Sequence, residues 1–320
     1  MKRKFIILIL ILMTILLAYL FYGIPFDNAN LELLIYILSS RYQRLLALLL
    51  TAFCGALATL IFQTITSNRI LTPSLIGLDN LYILIQTLLV FFIGSSRMLQ
   101  FNSSLHYFLS LGIMFCFAIF LFKILFQKRG YSIYFILLIG FIMNSLFQSL
   151  TSFFQLLIDP NEFFILQARL FTSFNAINPN LLIWSFIIVG LMIAIMRHDL
   201  AYLDILLLEK DRTISLGVDY NRYILRLFIL VSILVAVSTA LVGPITFFGL
   251  LVVSLTYKLF PTYKHHILLP ASSLIAMITL IGGQLLTQNI LHFEVPFNVL
   301  LNVLGGTYFI YIVIKKGNNL

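Results

Sequence analysis

"LFILVSILVAVSTALVGPITFFGLLVVSLTY" (Leu227–Tyr257) is a run of 31 residues without a charge. A helix that crosses a bilayer needs about 20 apolar residues. The run is too long for one span and contains Gly243-Pro244. Proline lacks the backbone N–H and clashes with the preceding helical turn. The run therefore predicts a full helix over 222–242 and a short one over 247–259. This division sets the parity of everything downstream. One helix more or fewer would move the C-terminal end of the chain to the other side of the membrane.

The rest of the chain reads the same way. It has 320 residues, 61% of them hydrophobic and 10% charged, with a mean hydropathy of +1.07. A soluble domain carries about 25% charged residues, and a soluble chain could not hide this much apolar surface. Charge-poor runs predict ten spans: 5–23, 45–66, 81–95, 104–126, 131–157, 181–197, 222–242, 247–259, 267–288 and 296–314. The first follows Lys2-Arg3-Lys4 but is too long for a signal peptide and has no small-residue cleavage site, so it is expected to be retained. Cys54 and Cys116 lie inside apolar runs and read as small core hydrophobes.

Lys and Arg set the expected orientation. With the N-terminus inside, Lys2, Arg3, Lys4, Arg69, Lys123, Lys128, Arg129, Arg197, Lys210, Arg212, Arg222, Arg226, Lys258, Lys264, Lys315 and Lys316 fall inside. Arg41, Arg44, Arg97 and Arg169 fall outside, a split of 16 to 4 among the 20 Lys and Arg residues. Both termini are expected in the cytoplasm. The net charge of +9 is then that of basic cytoplasmic loops, not of a nucleic-acid binder. The longest of these loops, 199–221, carries "LLLEKDRTISLGVDYNR" (Leu206–Arg222). Its apolar Leu203–Leu208, charged Glu209-Lys210-Asp211-Arg212 and Gly217 predict one or two short amphipathic helices at the membrane face, with Gly217 just past a helix end. A solvated linker or a helix resting on headgroups fits the same pattern.

Five stretches together resemble the FecCD family of ABC-transporter permeases, which import iron-siderophores, haem and vitamin B12. "RYQRLLALLLTAFCGALATLIFQ" (Arg41–Gln63) is similar to the family's Arg-x-Pro-Arg start of helix two. "NRILTPSLIGLD" (Asn68–Asp79) is similar to its Asn-Pro-Leu-Ala-x-Pro-x-x-x-Gly loop. "SLGVDYNR" (Ser215–Arg222) resembles the end of its coupling segment, and "VGPITFFGLLV" (Val242–Val252) its Gly-Pro-Ile-x-Phe-x-Gly-Leu signature. "FEVPFNVLLNVLGGTYFIYIVIKK" (Phe293–Lys316) resembles its C-terminal pattern. Gln43, Arg69, Val253-Ser254 and Thr287 depart from the common pattern. These departures resemble the second permease subunit of two-gene importers for catechol-type ferric siderophores, of the FatC and CeuC kind. The resemblance implies an all-α polytopic membrane protein of ten transmembrane helices, with the type II, BtuC-like ABC importer permease fold and a single permease domain over 1–320.

No Gly-x-x-x-x-Gly-Lys-Ser/Thr phosphate loop occurs in the chain. If the protein pumps, ATP is bound and hydrolysed by separate subunits; this chain is expected to be no enzyme and to hold no cofactor. The resemblance implies two ATP-binding cassette subunits docked on the coupling segment, with Leu206, Leu207 and Leu208 in a cleft. Glu209, Lys210, Asp211 and Arg212 would set orientation, and Gly217 would close the segment. It also implies a homologous partner permease, and an extracytoplasmic siderophore-binding protein docked at Arg41 and Arg44. Headgroup snorkelling is the alternative for these two arginines.

Asn144, Gln148, Thr151, Ser152 and Gln155 form one polar stripe on the fifth span. Unpaired amides facing lipid cost several kcal/mol, so the stripe must face protein or a water-filled path. Interhelical hydrogen bonding and a translocation path both satisfy that demand. Gln63, Asn298 and Asn302 are further pathway candidates. No carboxylate is expected deep in a span, since Asp79 and Glu294 read as lying near span ends. That pattern disfavours an ion-coupled carrier. His265-His266 reads as a solvated turn, and no metal site is expected. The expected protein is a permease of a bacterial ABC importer for ferric siderophore in the cytoplasmic membrane. A cobalamin or haem importer is the alternative within the class, and a secondary carrier or a membrane enzyme outside it.

Overall fold

A computed structural model describes residues 1–24, 31–95, 103–126, 133–170, 174, 177–208, 210–289 and 297–317. Among them are thirteen α-helices: α1 (Lys2–Phe21), α2 (Leu31–Ile65), α3 (Leu78–Ile93), α4 (Ser103–Phe126), α5 (Ile133–Leu157), α6 (Pro160–Leu170), α7 (Pro179–Ala201), α8 (Leu203–Leu206), α9 (Lys210–Ser215), α10 (Tyr220–Val242), α11 (Phe248–Leu259), α12 (His265–Asn289) and α13 (Phe297–Gly317). A 3-10 turn, Pro73–Ile76, precedes α3. No strand occurs among the described residues. In hydrocarbon every backbone N–H and C=O needs an internal partner, and helices supply one locally.

A helix stands at each of the ten expected spans. Six are long and apolar enough to cross a membrane, and Leu78–Ile93, Phe248–Leu259 and Val299–Ile310 are shorter apolar stretches. α10 ends where Gly243 takes φ +96° and returns its N–H to Thr239 O, and α11 starts after Pro244. Two expectations are corrected. The second helix starts at Leu31 rather than 45, because nothing in "SSRYQR" breaks it. The 11-residue α6 was not anticipated either.

α2 is the central post. Ala47, Leu48, Ala52, Cys54 and Ala56 along it are fully buried, and α10 and α12 pack on either side. Cys54 is a core residue as expected, whereas Cys116 is exposed on α4. The start of α1 and the ends of α2 and α11 share one face, here called the N-terminal face. There Lys4 Nζ donates to Leu259 O at 2.6 Å, and Phe5 packs on Phe260.

α3 and α11 have 16 and 12 residues, roughly 24 and 18 Å at 1.5 Å per residue, short of an apolar core about 30 Å thick. Both begin inside the bundle. The first turn of α11 lies on α2, where a Cβ at Gly55 would come 3.2 Å from the Phe248 ring. Gly55 and Thr59 lie ten and six residues before the end of α2, roughly 15 and 9 Å from it. Residues 66–77 climb to the same level, because Pro73, Ser74 and Asp79 border a small cavity with Gly55 and Thr59.

Gly77 sets the turn into α3. Its φ is +92°, and a Cβ there would come 3.1 Å from Asn144 Cα of α5. Gly77→Ala therefore combines a left-handed backbone with a backbone contact that cannot swing aside. It is expected to cost about 1–3 kcal/mol, read as a fall in the melting temperature of the purified protein. An unchanged melting temperature would refute this.

Candidate functional site

α3 and the break between α10 and α11 border a cavity of about 350 Å³. Its polar lining comes from five places. α3 gives Asp79 and Asn80, α5 gives Gln148, Thr151, Ser152 and Gln155, α6 gives Gln167, and Thr246 and Asn302 come from the α10–α11 break and α13. Gln148 and Ser152 are exposed, so the cavity opens on the flank of the single chain. Thr246 Oγ1 donates to Asn302 Oδ1 at 2.7 Å, joining the break to α13. Thr151 Oγ1 is buried without a hydrogen-bond partner.

The α5 stripe therefore divides. Gln148, Thr151, Ser152 and Gln155 face the cavity. Asn144, one turn earlier, is held by Asn80, whose Nδ2 donates to Asn144 Oδ1 at 2.8 Å, and it does not line the cavity. Asn302 lines it too; the side chain of Asn298 lies outside the described residues. Gln63 belongs elsewhere. It is 3% exposed with both amide atoms unpaired, beside a separate cavity of about 240 Å³ at the N-terminal face.

Asp79 was expected near a span end, and the structure corrects this. α3 starts inside the bundle, so its first turn is deep. Asp79 is 5% exposed and accepts a hydrogen bond from Thr239 Oγ1 at 3.2 Å. It borders both the small cavity and the larger one. A carboxylate in the first turn complements the positive end of the α3 dipole. Sequence reasoning also missed Asn80, Gln167 and Thr246. Only the Gly-Pro break hinted at Thr246.

The polar loop forms two short helices, α8 and α9, where one or two were expected. Thr213 Oγ1 donates to Ile205 O at 3.1 Å and pins α9 to α8. Gly217, at φ +77°, donates to Ile214 O, and Val218 N to Thr213 O, the Schellman ending. Leu206, expected in a partner's cleft, is instead 2% exposed and packs into the chain's own core. Leu207 and Leu208 are 38% and 41% exposed. With Ile214 and Leu216, also exposed, they make an apolar patch on the polar loop. Lys210, Asp211 and Arg212 are exposed around it; Glu209 lies outside the described residues. Below the loop, Arg226 Nη1 and Asp199 Oδ1 pair at 3.1 Å and tie α10 to α7.

Two further expectations change. His265 is buried, not in a solvated turn. Arg41 does not project freely: its Nη1 donates to the carbonyls of Tyr19, Leu20 and Tyr22 at 3.3, 3.0 and 2.8 Å, closing the end of α1. Arg44 Nε is buried and unpaired.

An all-helical, multi-pass membrane protein whose broken helices meet at a polar cavity is built as a transport permease. The FecCD transport family pattern matches residues 5–315, and the chain belongs to that family. It is 44% identical, over 89% of its length and 90% of the relative's, to the petrobactin import system permease protein YclO of Bacillus subtilis (strain 168). It is 34% identical over 92% of its length, and 82% of the relative's, to the petrobactin import system permease protein FatC of Bacillus anthracis. Its fold matches a solved structure described as an inward-facing metal-chelate type ABC transporter, with a TM-score of 0.84, 24% identity and coverage of 98% and 99% of the two chains.

Proposed function

We propose that this chain is the permease subunit of an ATP-driven bacterial importer that carries a ferric siderophore across the cytoplasmic membrane. The observation that carries the reading is 44% identity over 89% of the chain to a petrobactin import permease. The N-terminal face is cytoplasmic, on the 16-to-4 distribution of Lys and Arg. Two ATPase subunits dock on the patch of Leu207, Leu208, Ile214 and Leu216. A homologous partner permease closes the open flank, so that the cavity becomes half of a path between two chains. A binding protein delivers the cargo from outside, docking beside Arg41 and Arg44. ATP binding and hydrolysis switch the path between outward- and inward-open states.

Uptake of radiolabelled iron in cells with and without the gene tests this. Iron supplied as ferric petrobactin or another catechol siderophore is expected to stop entering the deleted strain, while hydroxamate-borne iron continues. Loss of hydroxamate uptake alone would overturn the catechol assignment. Unchanged uptake from both would overturn siderophore import and favour haem or cobalamin.

Asp79 is the one acidic residue among the described residues that border the larger cavity. Asp79→Asn keeps an acceptor for Thr239 and removes the charge. In the membrane an ionisable residue facing a path is functional by default. Uptake is expected to fall about tenfold, a loss of about 1.4 kcal/mol in the limiting step, with the amount of folded protein unchanged. Uptake at the wild-type rate would refute a role for the charge.

A further inference from the structure

We propose that Asp204, His265 and Thr64 form a link that carries movement of the coupling segment into α12 and α2. The link rests on the reading that ATPases dock on α8 and α9. Asp204 lies in α8, and its Oδ1 accepts two hydrogen bonds from His265: from the backbone N–H at 2.8 Å and from ring Nδ1 at 2.5 Å. His265 opens α12, and the first N–H groups of a helix have no partner within it. The coupling segment thus caps α12 from 61 residues away in sequence, and the carboxylate complements the positive end of that helix.

The other ring nitrogen reaches the central post. His265 Nε2 is 2.8 Å from Thr64 Oγ1, in the last turn of α2. Thr64 Oγ1 also lies 2.9 Å from Leu60 O. A carboxylate only accepts, so Nδ1 carries hydrogen toward Asp204. With a neutral ring, Thr64 turns its hydroxyl hydrogen to Nε2. With a charged ring, Nε2–H donates to Thr64, which donates to Leu60 O. The chain from α8 to α2 stays connected in both states. His265 is 2% exposed, whereas the Asp204 side chain is 38% exposed, so the link runs from a water-accessible carboxylate on the coupling segment to a buried ring in the bundle.

The geometry of α8 gives the link a direction. Leu203 and Leu206 face the core while Leu207 and Leu208 face out. A partner that grips the outer pair moves a four-residue helix whose one carboxylate is fixed to α12. Packing of Leu203 and Leu206 alone is greasy and lets α8 slide; two hydrogen bonds to one oxygen fix its position along α12. Asp204 and His265 are positioning residues, since neither touches the cargo path.

The test uses the whole importer, with its partner permease, ATPases and binding protein, in proteoliposomes supplied with ferric petrobactin. ATP hydrolysis and iron uptake are measured in the same vesicles. Asp204→Ala and His265→Ala are each expected to lower iron taken up per ATP hydrolysed at least about fivefold, while hydrolysis stays within about twofold. The Asp204→Ala/His265→Ala pair is expected to do no more than either alone, because both cut one connection. A merely structural role would lower hydrolysis and uptake by one common factor; that result, or a pair whose losses multiply, overturns the link. If His265→Ala fails to assemble, His265→Asn decides. Its amide keeps a donor for Asp204 but cannot reach Thr64, so the complex should assemble with uptake per ATP still reduced. A wild-type ratio in that variant overturns the link. The Leu207→Asp/Leu208→Asp pair separates the two ideas. If ATPases remain bound to it, the docking reading fails and the link falls with it. If they are lost there and the ratio is unmoved in the link variants, the link alone fails.

Discussion

Gly249→Val is expected to abolish the folded protein. A Cβ built at Gly249 runs into Thr59 Oγ1 and lies 2.8 Å from Thr59 Cβ and 3.1 Å from Gly55 O. Thr59 is itself buried on α2, and its branched side chain has few rotamers to retreat into. Inserting methyl groups into a close-packed core costs about 1–3 kcal/mol where neighbours can shift; here one neighbour is a backbone carbonyl. Small residues let helices approach closely in membranes, where that contact replaces the hydrophobic effect as the driving force. The loss also separates the start of α11 from α2 and opens the small cavity between them. Size-exclusion profiles of fluorescently tagged protein in detergent would report it, wild type giving one peak and Gly249→Val aggregate. Gly249→Ala should be milder, and adding Thr59→Ala should restore its peak. A normal Gly249→Val peak with normal uptake would refute this packing.

Leu207→Asp/Leu208→Asp is expected to strip the ATPases from the complex. Both leucines are about two-fifths exposed on the polar loop. Burying a leucine against a partner contributes about 1.5–3 kcal/mol. A carboxylate in its place must be desolvated as well, so the pair should weaken docking by more than about 3 kcal/mol, at least a hundredfold at 1.4 kcal/mol per decade. Because the side chains do not enter the chain's own core, the permease itself should fold and reach the membrane. Co-purification of the ATPases with the tagged chain reads the result directly. Leu206→Asp is the contrasting variant. Its side chain packs in the core, so it should reduce the folded permease itself. Equal ATPase recovery from wild type and the Leu207/Leu208 pair would sink the assignment of this patch.

The helical order of the protein is legible in its sequence because hydrocarbon leaves the backbone few choices. Long charge-poor runs, one Gly-Pro break and the placement of Lys and Arg gave ten spans, and a helix stands at each. Gly217 announced the end of α9 because a left-handed residue there is cheap only for glycine. The polar stripe on α5 was visible because helical spacing alone puts Gln148, Ser152 and Gln155 on one side. Its partners were not. Nothing in "TPSLIGLDN" says that the segment climbs back into the bundle, so Asp79 read as a span-end residue and is instead deep beside Thr239. Leu206, Leu207 and Leu208 are chemically the same, and only the turn of α8 sends the first inward and the others out. Arg41 reads as a free cation until α1 ends beneath it with three carbonyls in need of a donor. His265 meets Asp204 and Thr64 across 61 and 201 residues of sequence. Local composition and periodicity determined which segments are helices and that they lie in a membrane, because lipid acts on each segment separately. Depth, pairing and the direction of each side chain depend on how the helices pack against one another, and only the tertiary structure decided those.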